Sequence, residues 1–398
     1  MSSPALPVPG EIGRTASRAL AVGGAGVALT LLGALLDREQ FFRSWLLAWL
    51  FFMNLAVGCL SVLMIQHLTG GRWGIAIRRT LEAGTRTLPL VALLFVPVAL
   101  GVSSLYEWSH AEAVAADPIL QHKASYLNPA FFLGRAVFYF VVWLGLARLA
   151  NRWSLEQDEE GTSPALAGRF EALGGIGLLL LGLTVTFSSV DWGMSLNAHW
   201  FSTIYGVLFM VGQALAALAF ATLTVARFSD REPLSRVIAA ETIHDLGKLM
   251  LAFVMLWAYV NLSQFLIVWS GNLPEEIPWY AARMQGGWEW LGAALIVLHF
   301  ALPFTLLLSR DIKRDAGLLS GIAAGLLLMR LVDLYWLVGP DLHGHGGHAP
   351  VAPHWMDVTA VVGLGGLWLW RCAGQLQTRP LLPVGEPEVR ERLEEASA

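Results

Sequence analysis

The sequence predicts an all-α polytopic membrane protein with ten transmembrane helices, and three observations predict it. Only 14% of the 398 residues are charged and 56% are hydrophobic, whereas soluble domains carry about 25% charged residues. The apolar residues form blocks of roughly 20, the length that crosses a hydrocarbon core of about 30 Å. Finally, the basic residues divide unevenly between the two sides that these blocks define.

Each apolar block is expected to be a helix, because backbone groups in lipid must be hydrogen-bonded within their own segment. The blocks are 18–36, 44–65, 87–105, 130–150, 172–190, 201–226, 249–269, 288–308, 316–338 and 357–371. They define a transmembrane domain over residues 18–372, between an N-terminal tail at 1–17 and a C-terminal tail at 373–398. The polar connections between blocks are too short to hold a soluble core of their own.

The orientation follows from the lysines and arginines, which stay on the cytoplasmic side of a bilayer. With ten helices, both tails and the even-numbered loops share one side. That side carries twenty of the 26 basic residues, the other side carries five, and Arg330 lies inside a block. The sequence therefore predicts a multi-pass protein with both termini cytoplasmic, and the negative net charge of −4 gives no reason to expect a nucleic-acid partner.

The motifs of several cofactor classes are absent from the sequence. There is no C-x-x-C-H haem attachment motif, no iron–sulfur cysteine run and no G-x-x-x-x-G-K-[ST] phosphate loop. The segment His343–His354 holds four of the ten histidines, but its glycines favour a flexible loop over a defined metal site. We therefore expect no covalently bound cofactor and assign no metal ligand and no catalytic residue.

Ionisable residues within the predicted spans are the main functional candidates, since each costs at least about 2.5–3.5 kcal/mol at a helix centre. Arg330 and Asp333 are three residues apart, so they share a helical face and can pair. His299 lies in the eighth block, and Pro303 four residues later cannot donate to its carbonyl. These residues are candidates for a proton pathway or a quinone site. The alternatives are a structural clamp for the pair and an ordinary hydrogen bond for the histidine.

A second group of candidates is predicted at the cytoplasmic mouth. His67 ends the second block, and the seventh block begins with His244, Asp245 and Lys248. Asp245 and Lys248 are again three apart. These residues are interpreted as an entrance to a proton path, with ordinary interfacial polarity as the alternative.

A third group lies on the predicted outer side. Two members belong to the hinge between the fifth and sixth blocks, one to the seventh block, and the others to the connection and start of the eighth. They are Asp191, His199, Gln264, Glu275, Glu276 and Glu289. With the groups above, they outline a polar row across the bilayer. The alternative for the hinge is helix ends plus an aromatic belt formed by Trp192 and Trp200.

Three stretches resemble one known family. They are QHLTGGRWG after the second block, the hinge VDWGMSLNAHWFSTIYG, and the seventh-block run HDLGKLMLAFVMLWAYVNLSQFLIVWSGNLPEEIPW. They are similar to NrfD/polysulfide-reductase-like membrane subunits, and within that family to the ActF-type subunit of bacterial alternative complex III. The resemblance covers most of the chain, from about the second to the ninth helix.

The resemblance implies an NrfD-like fold with two four-helix bundles, in a bacterial inner (plasma) membrane. It implies a subunit of a quinol:cytochrome c, or other electron acceptor, oxidoreductase complex. The subunit would contribute proton translocation or quinone binding without redox cofactors of its own. Its expected partners are a second NrfD-like subunit, an iron–sulfur subunit, a multihaem cytochrome c and membrane lipid.

Two other functions remain open on the residues alone. One is a secondary solute or ion transporter, although no short Gly/Pro-interrupted segments occur at matching positions of two halves. The other is a haem b protein with His67 and His299 as axial ligands. Their different expected depths in the bilayer speak against a shared haem.

Overall fold

The computed structural model describes residues 9–343 and 350–395, and the regular secondary structure of these residues is helical. Nine of the described helices or helical runs are long and apolar enough to cross a membrane. They are Gly10–Gly33, Arg38–Thr69, Arg72–Leu100, Pro129–Glu160, Pro164–Leu196, Tyr205–Phe228, Ala240–Gly271, Trp288–Leu308 and Ala316–Leu342. Each overlaps one predicted block, so the polytopic helical class agrees with the sequence.

The first half of the chain begins with three helices that precede a broken span. These are α1 (Gly10–Gly33), α2 (Arg38–Thr69) and α3 (Arg72–Thr85). The block predicted over 87–105 forms three pieces, α4 (Leu88–Leu94), α5 (Val96–Leu100) and α6 (Val102–Leu105). The break has a chemical cause, because Pro97 lacks the N–H that a continuous helix would bond to the carbonyl four residues earlier. The short helices α7 (Ala111–Ala116) and α8 (Pro118–Lys123) follow, and then α9 (Pro129–Glu160) and α10 (Pro164–Trp192).

The second half starts after the hinge, with α11 (Tyr205–Phe228), the single turn α12 (Leu234–Val237), α13 (Ala240–Gly271) and α14 (Ile277–Arg283). The eighth predicted block is composite, with α15 (Trp288–Ala294), a π-helix at Leu295–Ala301, and α16 (Leu302–Leu308). The short α17 (Arg310–Arg314) then leads to α18 (Ala316–His343). The last helices are α19 (Trp355–Leu376) and α20 (Pro387–Glu395).

The tenth predicted block, 357–371, does form a helix, but α19 is not among the nine candidate spans. Asp357 near its start and Arg371 near its end lower its mean hydropathy, although its length of 22 residues matches a span. It pairs closely with α1, where the backbones touch. A Cβ on Gly366 would lie 2.4 Å from the Cα of Gly23, so only glycines allow this approach.

Helix α2 occupies the centre of the molecule. Its most apolar 18-residue window is completely buried, as expected for a helix that is hydrophobic on every side. It packs against both α10 and α11, which also contact each other, and α11 in turn packs against α13 and α18. The central helices therefore place much of the hinge between α10 and α11, and the second half of α18, inside the protein.

The segment after α19, predicted as a charged tail, is ordered as far as it is described. Gly385 and Glu386 contact the inner ends of α3 and α9, and α20 reaches the loop that contains α12. The predicted metal-binding alternative for His343–His354 concerns residues 344–349, which lie outside the described residues.

Candidate functional site

A buried polar cluster lies between four helices in the second half of the chain. Arg330 and Asp333 of α18 form the ion pair that their spacing predicts. The indole Nε1 of Trp257, from α13, donates to Asp333 Oδ2 over 3.0 Å. The His299 ring meets the Trp257 ring edge-on, with 4.4 Å between centroids. Asp333 and His299 are both 0% exposed, so the cluster lies away from solvent and lipid.

Helix α11 contributes Gly212, which packs directly against Arg330 of the cluster. A Cβ built on Gly212 would lie 2.2 Å from the guanidinium carbon of Arg330, far below contact distance. The guanidinium group therefore lies directly on the backbone of α11. No larger residue fits at position 212 without displacing the arginine.

His299 sits in the only stretch of π-helix among the described residues, Leu295–Ala301. The N–H of Leu302 bonds to the carbonyl of Val297, one residue further back than an α-helical partner. Pro303 supplies the local reason, because it cannot donate to the carbonyl of His299. Single π-turns of this kind widen a helix and are frequent at functional sites.

Several polar atoms of the cluster have no protein hydrogen-bond partner. They are Nδ1 and Nε2 of His299, Nη2 of Arg330 and Oδ1 of Asp333. Buried polar side chains are nearly always hydrogen-bonded, to protein or to ordered water. Four unpartnered atoms on three neighbouring side chains thus mark a site that can accept water or a polar ligand.

Asp191, the hinge carboxylate, has a contrasting environment. Arg135 Nε and Nη2 each donate to it over 2.8 Å, and Tyr139 Oη donates over 2.7 Å. The guanidinium of Arg135 also lies 3.8 Å above the ring of Tyr126. Both carboxylate oxygens are thereby hydrogen-bonded, which is the geometry of a bidentate structural pair.

His199 lies apart from Asp191 despite their proximity in sequence. Its Nε2 donates to Asp117, which caps the start of α8 by accepting from the backbone N–H of Ile119. The hydrogen bond from His199 is the largest cause of a lowered pKa at Asp117. The imidazole is 44% exposed, so the two hinge residues serve different local structures.

Close to the hinge lies a buried arginine, Arg283, which the sequence predicted only as one of five basic residues on the outer side. Arg283 Nη2 donates to Asp341 over 2.8 Å, and its guanidinium lies 3.4 Å above the ring of Trp279. Burial lowers the pKa of Arg283, while Asp341 opposes the shift. The hinge joins this group, since Asn197 donates to Asp341 and Trp200 stacks on Trp279 with 4.7 Å between centroids.

The other outer candidates do not form one acidic group. Gln264 is buried and its Nε2 lies 3.5 Å from the hydroxyl of Ser202 in the hinge. Glu289 accepts from the backbone N–H of Gly287 and so caps the start of its own helix. Glu275 is exposed and Glu276 is half-buried before α14.

The inner candidates belong to two separate groups. The His67 ring stacks on Phe170 with 4.5 Å between centroids. Lys248 pairs with Asp245 over 3.0 Å, as their spacing predicts, and both are exposed. The contacts of His67 involve α10, whereas those of Asp245 stay on α13.

A buried ionic network around α3, on the predicted cytoplasmic side, was missed by the sequence reasoning. Glu82 of α3 accepts from Arg78 Nε, Arg79 Nη1 and the hydroxyl of Ser154 over 3.1, 2.7 and 2.6 Å. Arg78 also pairs with Glu386 from the C-terminal segment over 2.8 Å. The i, i+4 spacing of Arg78 and Glu82 was the available signal, but a short basic stretch between apolar blocks reads as a solvated loop.

The fold and these sites define an all-helical protein with nine candidate membrane spans among its described residues, the class of multi-pass membrane proteins. Within the same residues, no group of three or more His, Cys, Asp or Glu side chains has metal-binding geometry. No family model matches the chain, and no curated protein matches it.

Proposed function

We propose that this chain is an NrfD-like, ActF-type membrane subunit of a quinol:electron acceptor oxidoreductase complex, and that it contributes a proton pathway. The three motif stretches support the assignment. So does the packing, which groups α2, α3–α6, α9 and α10 into one four-helix bundle and α11, α13, α15–α16 and α18 into another. Counting α19 as the tenth span would put both termini on one side of the membrane, and the distribution of lysine and arginine supports the cytoplasmic side of a bacterial inner membrane.

The observation that carries the proton pathway is the buried cluster around His299. A proton relay needs side chains that can change their hydrogen bonds, and His299 and Asp333 both keep unpartnered atoms. Arg330 is paired with Asp333, and histidine and aspartate are both side chains that transfer protons in proteins. The closed Arg135–Asp191 pair lacks such freedom.

The polar row runs from this cluster towards the outer end. Buried Tyr205 of α11 lies within electrostatic range of both the Arg330–Asp333 pair and the Arg283–Asp341 pair. Towards the inner end, the buried face of α13 between Asp245 and Trp257 consists of Leu246, Met250 and Val254 among others. The cluster is therefore proposed to exchange protons with the outer side, through the hinge region.

Redox chemistry is assigned to partner subunits. The expected partners are a second NrfD-like subunit, an iron–sulfur subunit and a multihaem cytochrome c, which would oxidise quinol near the outer face. The haem alternative loses its basis, since His67 stacks on Phe170 and His299 meets Trp257 in different bundles. A quinone site on this chain itself is not part of the proposal.

The transporter alternative has one supporting observation, the irregular span α15–α16 beside ionisable groups. Transporter repeats place such breaks at corresponding positions of two halves. In this chain the broken spans are α3–α6 and α15–α16. The first is the second span of its bundle and the other is the third span of its bundle, so their positions do not correspond. The alternative is therefore less well supported than the respiratory subunit.

The test compares three variants in the complex purified from native membranes with mild detergent and reconstituted in vesicles. Asp333→Asn and His299→Gln remove titratable groups, and we expect each to lower quinol-driven proton movement per assembled complex by about a hundredfold or more, the usual range of general acid–base effects. Trp257→Phe is the matched control, because it removes a hydrogen bond to Asp333 without removing a titratable group. Its proton movement should stay close to that of the unmodified protein.

Subunit identification in the same preparation tests the assignment to a complex. Iron–sulfur and multihaem cytochrome subunits should co-purify. A chain isolated alone as a functional transporter would refute the proposal. Loss of assembled complex in the Asp333 variant, with unchanged proton movement in what remains, would instead assign Arg330–Asp333 as a structural clamp.

A further inference from the structure

Helix α13 carries a polar aromatic side chain on its exposed face. Four side chains of this face are more than half exposed, and they are Met255, Tyr259, Leu262 and Leu266. We call these four residues the Tyr259 face. Tyr259 itself is 69% exposed, whereas Trp257 of the same helix is buried. All seven tyrosines of the chain lie in the described residues, and Tyr259 is the only exposed one.

Tyr259 lies at the middle of its span. It is the central residue of the predicted apolar block 249–269, so about 15 Å of helix separates it from either end of the block. A hydrocarbon core is about 30 Å thick, and a tyrosine side chain is too short to carry its hydroxyl from the centre to the headgroups. Tyrosine in membrane proteins is enriched at the two interfaces, so its exposure at this depth needs a specific cause.

The hydroxyl of Tyr259 makes no hydrogen bond to any of the described residues. Hydrocarbon chains contain no acceptor, and a hydroxyl without a hydrogen bond is costly in an apolar medium. Lipid can cover the apolar members of the Tyr259 face, but it cannot satisfy this hydroxyl. The position therefore points to a neighbour that brings an acceptor oxygen to the middle of the bilayer.

Three kinds of neighbour carry such an acceptor, and the geometry favours one of them. A quinone has carbonyl oxygens, but small-molecule sites enclose most of their ligand, whereas Tyr259 stands on an open helix surface. A second copy of this chain, related by a two-fold axis along the membrane normal, would place Tyr259 opposite itself. Two hydroxyls form one hydrogen bond with each other and leave one donor unsatisfied, and the other members of the Tyr259 face have no side-chain oxygen. A helix of a different membrane protein remains.

We propose that the Tyr259 face binds a transmembrane helix of a different membrane subunit, and that this helix carries a polar acceptor side chain opposite Tyr259. Transmembrane helices associate through close packing and through hydrogen bonds between polar side chains. The inference rests on the proposed function, because it requires a membrane partner in the complex. It adds the surface on which that partner lies and the chemistry of the contact.

The experiment places the photoreactive residue p-benzoyl-L-phenylalanine at position 259 of the full-length chain, in native membranes that contain the whole complex. Val141 of α9 is the control position, because it is 63% exposed and lies next to the middle of the predicted block 130–150, in the other bundle. After illumination and purification, mass spectrometry identifies each adduct. Position 259 should give an adduct with a transmembrane segment of a second membrane subunit that co-purifies with the complex. Position 141 should give adducts with lipid only.

The Tyr259→Phe variant tests the hydrogen bond, because it removes the hydroxyl and keeps the ring. We expect the variant to dissociate from the partner subunit about threefold more readily on dilution in mild detergent, the usual effect of one hydrogen bond between transmembrane helices. Val141→Leu, an apolar substitution at an exposed position, should leave the dissociation unchanged.

The inference would be overturned if position 259 gave adducts with lipid or quinone alone, or with another copy of this chain. An equal yield of protein adducts at position 141 would overturn it as well. Unchanged dissociation of the Tyr259→Phe variant would refute the hydrogen bond. If the complex co-purifies while position 259 labels only lipid, the inference fails and the proposed function stands. If no respiratory subunit co-purifies, the proposed function itself fails.

Discussion

Asp191 and Asp333 are both buried carboxylates that face an arginine, yet their hydrogen bonding differs. Asp191 accepts three side-chain hydrogen bonds, from Arg135 and Tyr139. Asp333 keeps Oδ1 unpartnered beside His299. Burial alone therefore does not identify a proton-carrying residue. The completeness of the hydrogen bonds around it separates a structural pair from a group that can exchange protons.

The Asp191→Asn variant tests this distinction. It leaves the Arg135 charge buried without its partner, so we expect a loss of about 3–5 kcal/mol in stability, typical of a broken buried pair. Thermal unfolding in detergent measures the loss, and the yield of assembled complex should fall with it. Proton movement per assembled complex should stay unchanged. A specific loss of proton movement at normal stability would restore Asp191 as the outer proton-exit group that the hinge suggested.

The sequence revealed two ion pairs whose members are close along one helix, although it missed Arg78–Glu82, which has the same kind of spacing. Arg330–Asp333 and Asp245–Lys248 are three residues apart, and the structure contains both. Arg135–Asp191 and Arg283–Asp341 join residues 56 and 58 positions apart, and nothing local indicates such partners. Only tertiary packing brings them together, which is why Asp191 was interpreted as a free polar group and Arg283 as a topology marker.

At the scale of helices, hydropathy predicted which segments form long apolar helices better than where those helices end. Helix α2 was predicted over 44–65 but runs for 32 residues, from Arg38 to Thr69. The backbone hydrogen bonds of a helix do not depend on apolar side chains. The helix therefore continues into the polar residues on either side of the apolar block. The opposite error occurred at 87–105, where the predicted helix is divided into α4, α5 and α6, with Pro97 at the first break and Gly101 at the second.

The close approach of α11 and α18 at Gly212 gives an element-scale prediction. Gly212→Ala should lower stability by about 1–3 kcal/mol, the usual cost of overpacking, because its methyl group would overlap the Arg330 guanidinium. Gly325→Ala on α18 is the matched control, since nothing lies within 4 Å of a Cβ there. It should be neutral or stabilising, as alanine is the better helix former. Equal thermal unfolding midpoints for the two variants would mean that Arg330 can move aside at little cost.

At the scale of the whole molecule, the C-terminal segment connects elements that are distant in sequence. Glu386 pairs with Arg78 of α3, and Gly385 bonds to Asp158 of α9. Beyond them, Arg392 of α20 donates to the carbonyl of Val237, next to the second bundle. The sequence indicated a charged tail because charge alone does not show which partners it meets. The structure makes the tail a strap across the inner ends of both halves.

The strap should loosen when its ionic contact with α3 is removed. Glu386→Gln leaves Arg78, which is 1% exposed, with only Glu82 as a charged partner. Limited trypsin digestion should then cut faster at Arg390 and Arg392, because cleavage requires the segment to detach.

Glu391→Gln, an exposed substitution in the same helix, is the control and should leave the cleavage rate within about twofold, as surface changes are usually within ±0.5 kcal/mol. High salt should accelerate cleavage little in either protein, since the pair is buried and weakly screened. Equal cleavage rates in the two variants would show that the apolar contacts of α20, centred on buried Val389, hold the strap without help from Glu386.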